Sequence, residues 1–381
     1  MSIQPFTIHV PHTTIDDLQG RLARTRWPDE IAGSGWDYGT NLAYLMGLVA
    51  YWRDDFDWRA QEARLNQFAH FRAEIDGCGI HFIHERGRGP QPLPLIITHG
   101  WPSSFAQMLK IIPPLTDPAR HGGDPADAFD VVVPSLPGFG FSDHPQERGM
   151  NAQRIADLWA RLMVDALGYR RFAAAGGDLG SPITRRLALA RPELLAGIHL
   201  TDVGYPTADR PDLSAAEQRF LDAGRDWSAR EGGYMAMQAT KPQTLAYGLT
   251  DSPVGLAAWI VEKYRAWSDC GGDVERRFSK DELLTTIMIY WATDTINSSA
   301  RLYYENRRIP PLAPEQRIDV PAGVALFPKD LALPPREWAE RSLRVERWTE
   351  MPRGGHFAAM EEPDLLVEDL RAFFRPLRGA L

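Results

Sequence analysis

Cysteine is scarce in this 381-residue chain, represented by Cys78 and Cys270 alone. The two lie far apart, in no C-x-x-C pair and beside no histidine pattern, so neither a zinc site nor a disulfide framework has its raw material. Reduced thiols in a cytoplasmic protein are the expectation. A basic excess is missing too. Lys and Arg number 42 against 50 Asp and Glu, a net charge of −8, the opposite of a nucleic-acid footprint. Long apolar runs are also absent: the longest, residues 42–52, falls well short of the roughly 20 residues that span a bilayer. Met1 to Pro5 offers no basic start followed by an apolar stretch, so no secretory leader is expected. Repeats and low-complexity tracts do not occur. These absences point away from nucleic acid, membrane, metal and cofactor, and leave a small molecule as the expected partner.

What is present is ordinary globular composition, 44% hydrophobic and 24% charged. Residues 1–73 read as a helical, aromatic extension. Thr13 or Thr14 is placed to cap a first helix carrying Asp16 and Asp17, with Ile15, Leu18 and Leu22 on one face, ending at Trp27-Pro28. A second helix starts at Asn41, and the tryptophans around it, Trp52 and Trp58, read as packing surface. The texture changes near Glu74. Ile75, Ile80, Phe82 and Ile83 suggest a strand pair, and apolar runs follow at 93–98, 129–133, 172–175, 197–200 and 323–327. Continuous apolar runs suit parallel strands buried on both faces. Helical patterns at 152–167 and 181–190 alternate with them, which predicts an α/β fold with an open, mostly parallel sheet. Residues 205–320 break the alternation. They look helical and are too long for a loop, so they are expected to form an inserted cap between a first core part at 74–204 and a second at 321–381.

The sharpest local signal is Gly176-Gly177-Asp178-Leu179-Gly180, between a strand and a helix. Small residues flanking one reactive side chain at a tight strand-to-helix corner make the nucleophile elbow of the α/β-hydrolase fold. Aspartate also caps helices well, so the motif alone leaves that reading open. Chain order weighs against it: nucleophile, acid and histidine follow one another in this fold. His356 lies in Gly354-Gly355-His356-Phe357 near the C-terminus, and Asp330 follows Phe327-Pro328 at the carboxyl end of a strand. The loop His99-Gly100-Trp101-Pro102 follows the 93–98 strand, where one oxyanion-hole donor originates. Backbone N–H groups of Trp101 and Leu179 are therefore the expected donors, with His99 a structural loop residue.

An ionised carboxylate can attack a saturated electrophilic carbon directly and form an alkyl ester. A histidine-activated water then splits the ester, with the oxyanion donors stabilising the charge. Alkyl halides and epoxides both fit. A departing halide needs N–H donors, whereas a departing alkoxide needs an acid, for which paired tyrosine hydroxyls serve. Tyr234, in Gly232-Gly233-Tyr234, and Tyr303, in Leu302-Tyr303-Tyr304, stand out in the cap region, although each alone reads as one packing tyrosine among 11.

Taken together these motifs resemble the microsomal-type epoxide hydrolases with their N-terminal extension. The resemblance spans nearly the whole chain and rests on Leu22-Ala23-Arg24-Thr25-Arg26-Trp27-Pro28, His99-Gly100-Trp101-Pro102, the elbow, Asp251-Ser252-Pro253-Val254-Gly255-Leu256 and Arg353-Gly354-Gly355-His356-Phe357. It implies Asp178 as nucleophile, His356 as base, Asp330 as its orienting acid, and Tyr234 with Tyr303 as ring-opening acids on a small-molecule epoxide. Whether Tyr303 or its neighbour Tyr304 faces the site stays open. Membrane-bound members carry an apolar anchor, which is not found here, so the chain is similar to soluble bacterial and fungal members, several of them homodimers. Two other readings keep the same residues: a haloalkane dehalogenase-like hydrolase, which typically has Trp after the nucleophile where this chain has Leu179, and a non-catalytic ligand-binding member of the fold.

Overall fold

A computed structural model describes residues 2–204, 212–310 and 316–380. Its spine is a nine-stranded sheet: β1 (Ile3–Pro5), β2 (His70–Ile75), β3 (Cys78–Glu85), β4 (Leu93–Thr98), β5 (Phe129–Pro134), β6 (Phe172–Gly176), β7 (Leu195–Leu200), β8 (Ile318–Leu326) and β9 (Leu343–Glu350). The strand order is β1-β2-β3-β5-β4-β6-β7-β8-β9. The pairings β1/β2, β2/β3 and β3/β5 are antiparallel, and those from β5 onward to β9 are parallel. Every residue of β4, β5 and β7 is buried. This is why those segments carry unbroken apolar sequence: helices leave neither face to water.

The direction of chain connections reverses at β4, which lies between β5 and β6. Ligands of open α/β sheets bind outside the carboxyl ends of strands at such a switch point. Register brings the relevant ends level, since Thr98 pairs with Gly176 and Gly176 with Leu200. The loops after β4, β6 and β7 therefore start side by side.

Several local expectations change. The first helix is His12–Ala23, entered from Pro11 with no side-chain cap, so Thr13 and Thr14 lie inside its first turn. Pro11 presets the entry by its fixed φ, and the helix stops short of Trp27-Pro28. Asn41 does cap the next helix, Leu42–Asp54, accepting from the Tyr44 N–H at 2.9 Å. The N-terminal stretch also supplies β1, a short edge strand where a proline costs no ladder bond. Core strand β2 begins at His70, ahead of Glu74, because His70, Arg72 and Glu74 dilute its apolar signal. Strand β9 was not expected at all. Its sequence, LRVERWTE, is largely polar because it forms the sheet edge.

The proposed cap start at residue 205 lies outside the described residues. From Ala215 to Asn306 the chain is helical, in Ala215–Glu231, Gly233–Thr240, Pro242–Asp251, Pro253–Ala266, Lys280–Ala292 and Thr295–Asn306. The N-terminal stretch grips these helices. The Arg21 guanidinium donates to the Asp251 carbonyl and carboxylate at 2.7 Å, the Thr40 hydroxyl to the Ala258 carbonyl at 2.7 Å, and the Tyr51 hydroxyl to Asp281 at 2.9 Å. Trp52 and Trp58 are buried, as packing residues should be. Among the described residues, no helix is long and apolar enough to cross a membrane.

A buried histidine–carboxylate pair ties the sheet to helix Pro363–Phe374. His199 of β7 contacts Asp369 at 2.7 Å, and Asp369 also accepts from Arg347 and Thr349 at 2.7 Å each. Burial alone would raise the Asp369 pKa, but these partners hold it down at about 2. Removing one member of a buried charged cluster strands the others, at a cost of about 3–5 kcal/mol. Asp369→Ala should lose about that much stability in urea unfolding at neutral pH; a loss under about 1 kcal/mol would contradict the account. Because the folded pKa is depressed, the stabilisation is complete above the ordinary carboxylate value of about 4 and disappears as pH falls toward 2. The difference between the two proteins should close over that window.

Candidate active site

Asp178 occupies the corner after β6 with a left-handed backbone, φ 51°. For an L residue this conformation costs about 1–2 kcal/mol, so the surroundings must impose it. Two glycines permit the crowding. A Cβ on Gly180 would sit 2.2 Å from the Thr98 carbonyl oxygen, and one on Gly100 would sit 2.4 Å from the Asp178 side chain. The elbow can thus press against β4 and the loop behind it.

The two carboxylate oxygens of Asp178 have different environments. Oδ1 accepts the Trp101 N–H at 2.7 Å, while Oδ2 lies 3.5 Å from Nε2 of His356. Leu179, the other expected donor, makes no hydrogen bond to this carboxylate among the described contacts. On the far side of the imidazole, Nδ1 is 2.7 Å from Oδ1 of Asp330. A carboxylate there accepts, so the Nδ1 position carries the proton and Nε2 points at Asp178. The His356 backbone N–H donates to the Trp267 carbonyl at 2.8 Å, and the Trp267 ring meets the imidazole edge-on at 5.2 Å. Burial opposes protonation of His356, but Asp330 and Asp178 outweigh it and raise its pKa well above the usual value.

Tyr234 and Tyr303 approach from the helical region. Both are buried, their rings 5.9 Å apart and nearly perpendicular. Tyr234 stacks on Trp101 at 5.1 Å, and Tyr303 meets the same indole edge-on at 6.0 Å. Burial first, then the Asp178 charge, pushes the Tyr234 pKa far upward, which keeps it a neutral donor. Asp178, His356, Tyr234 and Tyr303 all border one cavity of about 710 Å³. Tyr304 does not border it; its ring lies under the Arg308 guanidinium. His99 is turned into the loop, its ring contacting the Gly100 carbonyl at 3.0 Å and accepting the Leu136 N–H at 3.2 Å. Among the described residues no cluster of His, Cys, Asp and Glu is arranged to hold a metal ion, and both cysteines are free and buried.

One residue of the site escaped the sequence reading. Asp202, just past β7, accepts the Asp178 N–H at 2.6 Å and the Gly204 N–H at 2.9 Å. It therefore anchors the strained backbone of the elbow. Nothing in the local sequence Thr201-Asp202-Val203-Gly204 distinguishes it from a turn aspartate; only the pairing of β6 with β7 puts it there. Burial, then the charges of Asp330 and Asp178, raise its pKa to about 7. The folded state thus holds a proton that the unfolded chain releases near pH 4, and stability should fall as pH rises from about 4 to about 7. Asp202→Asn, which still offers an acceptor oxygen, should flatten that part of the melting-temperature profile. An unchanged slope would remove Asp202 as its source.

Comparison with known proteins is consistent along the whole chain. A family model described as "Epoxide hydrolase N terminus" matches residues 3–108, and one described as "alpha/beta hydrolase fold" matches residues 94–232. A provisionally named epoxide hydrolase of Stigmatella aurantiaca (strain DW4/3-1) is 48% identical, over 99% of this chain and 86% of its own. Epoxide hydrolase 1 of Sus scrofa is 38% identical, over 98% of this chain and 88% of its own. The solved structure of Aspergillus niger epoxide hydrolase superposes with a TM-score of 0.88 at 31% identity, covering 99% of this chain and 97% of that one. With near-complete coverage by such relatives and an α/β-hydrolase sheet beneath the site, the chain belongs to the microsomal-type epoxide hydrolase family.

Proposed function

We propose that this chain adds water to an epoxide in two covalent half-reactions centred on Asp178. The observation that carries the reading is the split environment of its carboxylate. One oxygen is held by a backbone N–H and the other is turned toward a histidine, beneath two buried tyrosines. In the first half-reaction, Oδ2 attacks a ring carbon, an O–C bond forms and the ring C–O bond breaks. The departing oxygen takes a proton from Tyr234 or Tyr303. In the second, His356 removes a proton from water, which adds to the ester carbonyl carbon. Charge then develops on Oδ1, at the Trp101 N–H, with the Leu179 N–H assigned as second donor to this tetrahedral state. Collapse breaks the acyl bond, the departing former Oδ2 takes the proton held by His356, and the second water proton returns to the tyrosinate, which leaves the diol and the starting enzyme.

The charge balance supports this order. Alkylation makes Asp178 neutral, which removes one of the two carboxylates that raise the His356 pKa. The imidazole is thereby released to act as a base when a base is needed. Hydrolysis of the ester should then speed up as pH rises through the pKa of His356 in the ester form. The same reading divides the chain into an extension (1–73), a core (74–204 with the earlier start of β2, and 321–381 with the earlier start of β8 at Ile318) and a helical cap (205–320). A cytoplasmic homodimer acting on small-molecule epoxides completes it.

A dehalogenase-like reading has one observation in its favour: the buried indole N–H groups of Trp101 and Trp267 have no acceptor. The two buried tyrosines bordering the same cavity as the carboxylate favour the epoxide. His356→Gln incubated with styrene oxide should gain the mass of one substrate on Asp178 and stall there, because the water has lost its base. A folded variant that reacts with an alkyl bromide and not with the epoxide would shift the assignment to halides.

The tyrosines carry the second test. An alkoxide leaving under a closed cap needs a proton, and general-acid help is worth about 10²–10⁴-fold. Tyr234→Phe and Tyr303→Phe should each slow alkylation by roughly that factor in rapid-quench measurements while sparing ester hydrolysis. Tyr304→Phe should leave both steps near wild type. Full alkylation in the double Phe variant would place the acid elsewhere.

A further inference from the structure

The cavity above Asp178 is not uniform. Asp178 begins the turn into helix Gly180–Ala190, and the same helix sends Ser181, Pro182, Arg185 and Arg186 into the cavity wall. Across from it, Tyr303 and Arg307 lie one helical turn apart at the end of Thr295–Asn306, and both also border the cavity. Each helix that brings a reactive group to one end thus carries arginine farther along. At 1.5 Å of rise per residue, the backbone at Arg185 lies on the order of 10 Å along the chain from Asp178. Met235, Ala239 and Leu331 make other parts of the wall apolar.

These arginines are not committed to carboxylates. Arg185 donates to the Val203 carbonyl at 2.9 Å and the Ser342 hydroxyl at 3.0 Å, and its Nε–H is buried without a partner. Arg186 donates to the Gln153 side chain at 3.4 Å and the Pro310 carbonyl at 3.0 Å. Arg307 makes no side-chain hydrogen bond among the described residues. A guanidinium offers five N–H donors, so most of this donor capacity is unused. Burial lowers the pKa of both Arg185 and Arg186, with nearby Asp202 opposing it at Arg185. By contrast, Arg341 on the same cavity is ion-paired to Glu217 and Asp212. Two partly buried cations and one at an exposed helix end, with spare donors and neutral acceptors only, are a site awaiting an anion.

We propose that Arg185, Arg186 and Arg307 form a subsite for the anionic end of the substrate, which makes the preferred substrate an epoxide joined to a carboxylate by an apolar spacer. The proposal rests on the epoxide-hydrolase reading above. An extended chain advances about 3.5 Å per three bonds, so 10 Å corresponds to roughly eight or nine bonds between ring and carboxylate. A carboxylate nearer the ring would be repelled by Asp178 and would leave the guanidiniums unused.

The test compares the terminal epoxide of dec-9-enoate with its neutral, isosteric carboxamide, and with styrene oxide as an unrelated epoxide. Charged hydrogen bonds at such a site are worth enough for the acid to exceed the amide in kcat/KM by roughly ten- to hundredfold. That ratio should fall toward one in Arg185→Gln/Arg186→Gln, shrink in Arg307→Gln at the exposed helix end, and recover partly in Arg185→Lys. It should also decline with added salt. Reading a ratio keeps overall losses of activity from being mistaken for loss of recognition, and Arg307→Gln stands in should the double variant fail to fold. Equal turnover of acid and amide, or turnover of styrene oxide alone, would overturn the subsite and leave the epoxide reading standing. A strong preference that survives every arginine variant would also overturn it. Inertness toward all three epoxides, with no ester on His356→Gln, would bring down the underlying reading instead.

Discussion

The contact on which the site depends is the hydrogen bond from the Trp101 N–H to Oδ1 of Asp178. It joins a loop after β4 to a turn after β6, and it exists because those strands are parallel neighbours with Thr98 level with Gly176. A carboxylate fixed through one oxygen leaves the other with a single orientation, toward His356 and the cavity. Three features sustain that contact. Asp202 holds the backbone of the elbow from below, Gly180 lets the helix approach β4, and Gly100 lets the loop close over the side chain.

Electrostatics then follow from crowding. Asp178 and Asp330 flank one imidazole, and their charges raise the proton affinity of His356 and of nearby Asp202. His356 is pushed up by Asp330 and Asp178, and Asp202 by burial and by those same two carboxylates. Such a cluster is poised to respond when one member loses its charge, which is what the proposed esterification of Asp178 would do. The buried pair His199–Asp369 offers an instructive contrast. Its carboxylate is held by Arg347 and Thr349 as well as by the histidine, and these partners keep its pKa low.

Above the sheet, the helical region brings Tyr234 and Tyr303 against Trp101, so the residue that supplies the backbone donor also braces the proposed acids. The N-terminal stretch fixes the helices in turn through Arg21, Thr40 and Tyr51. Placement of a hydroxyl over the carboxylate is therefore the last step in a chain of contacts that begins far from the site, at residues with no chemistry of their own.

Sequence alone determined what local rules govern. Unbroken apolar runs marked the central parallel strands, since a strand covered on both faces has no polar side to show. Small residues around Asp178 marked the elbow, because only glycine tolerates those approaches. The order Asp178, Asp330, His356 followed from strand order. The polar edge strands β1 and β9 were illegible for the converse reason, being too exposed to need an apolar face. Tertiary structure alone decided between Tyr303 and Tyr304, whose helix must be rotated correctly before one ring meets the cavity. It also placed Asp202 at the backbone of Asp178 and brought Arg185, Arg186 and Arg307 to the wall of one cavity. Those are relations between segments distant in sequence, created by strand register and helix packing, and no local pattern encodes them.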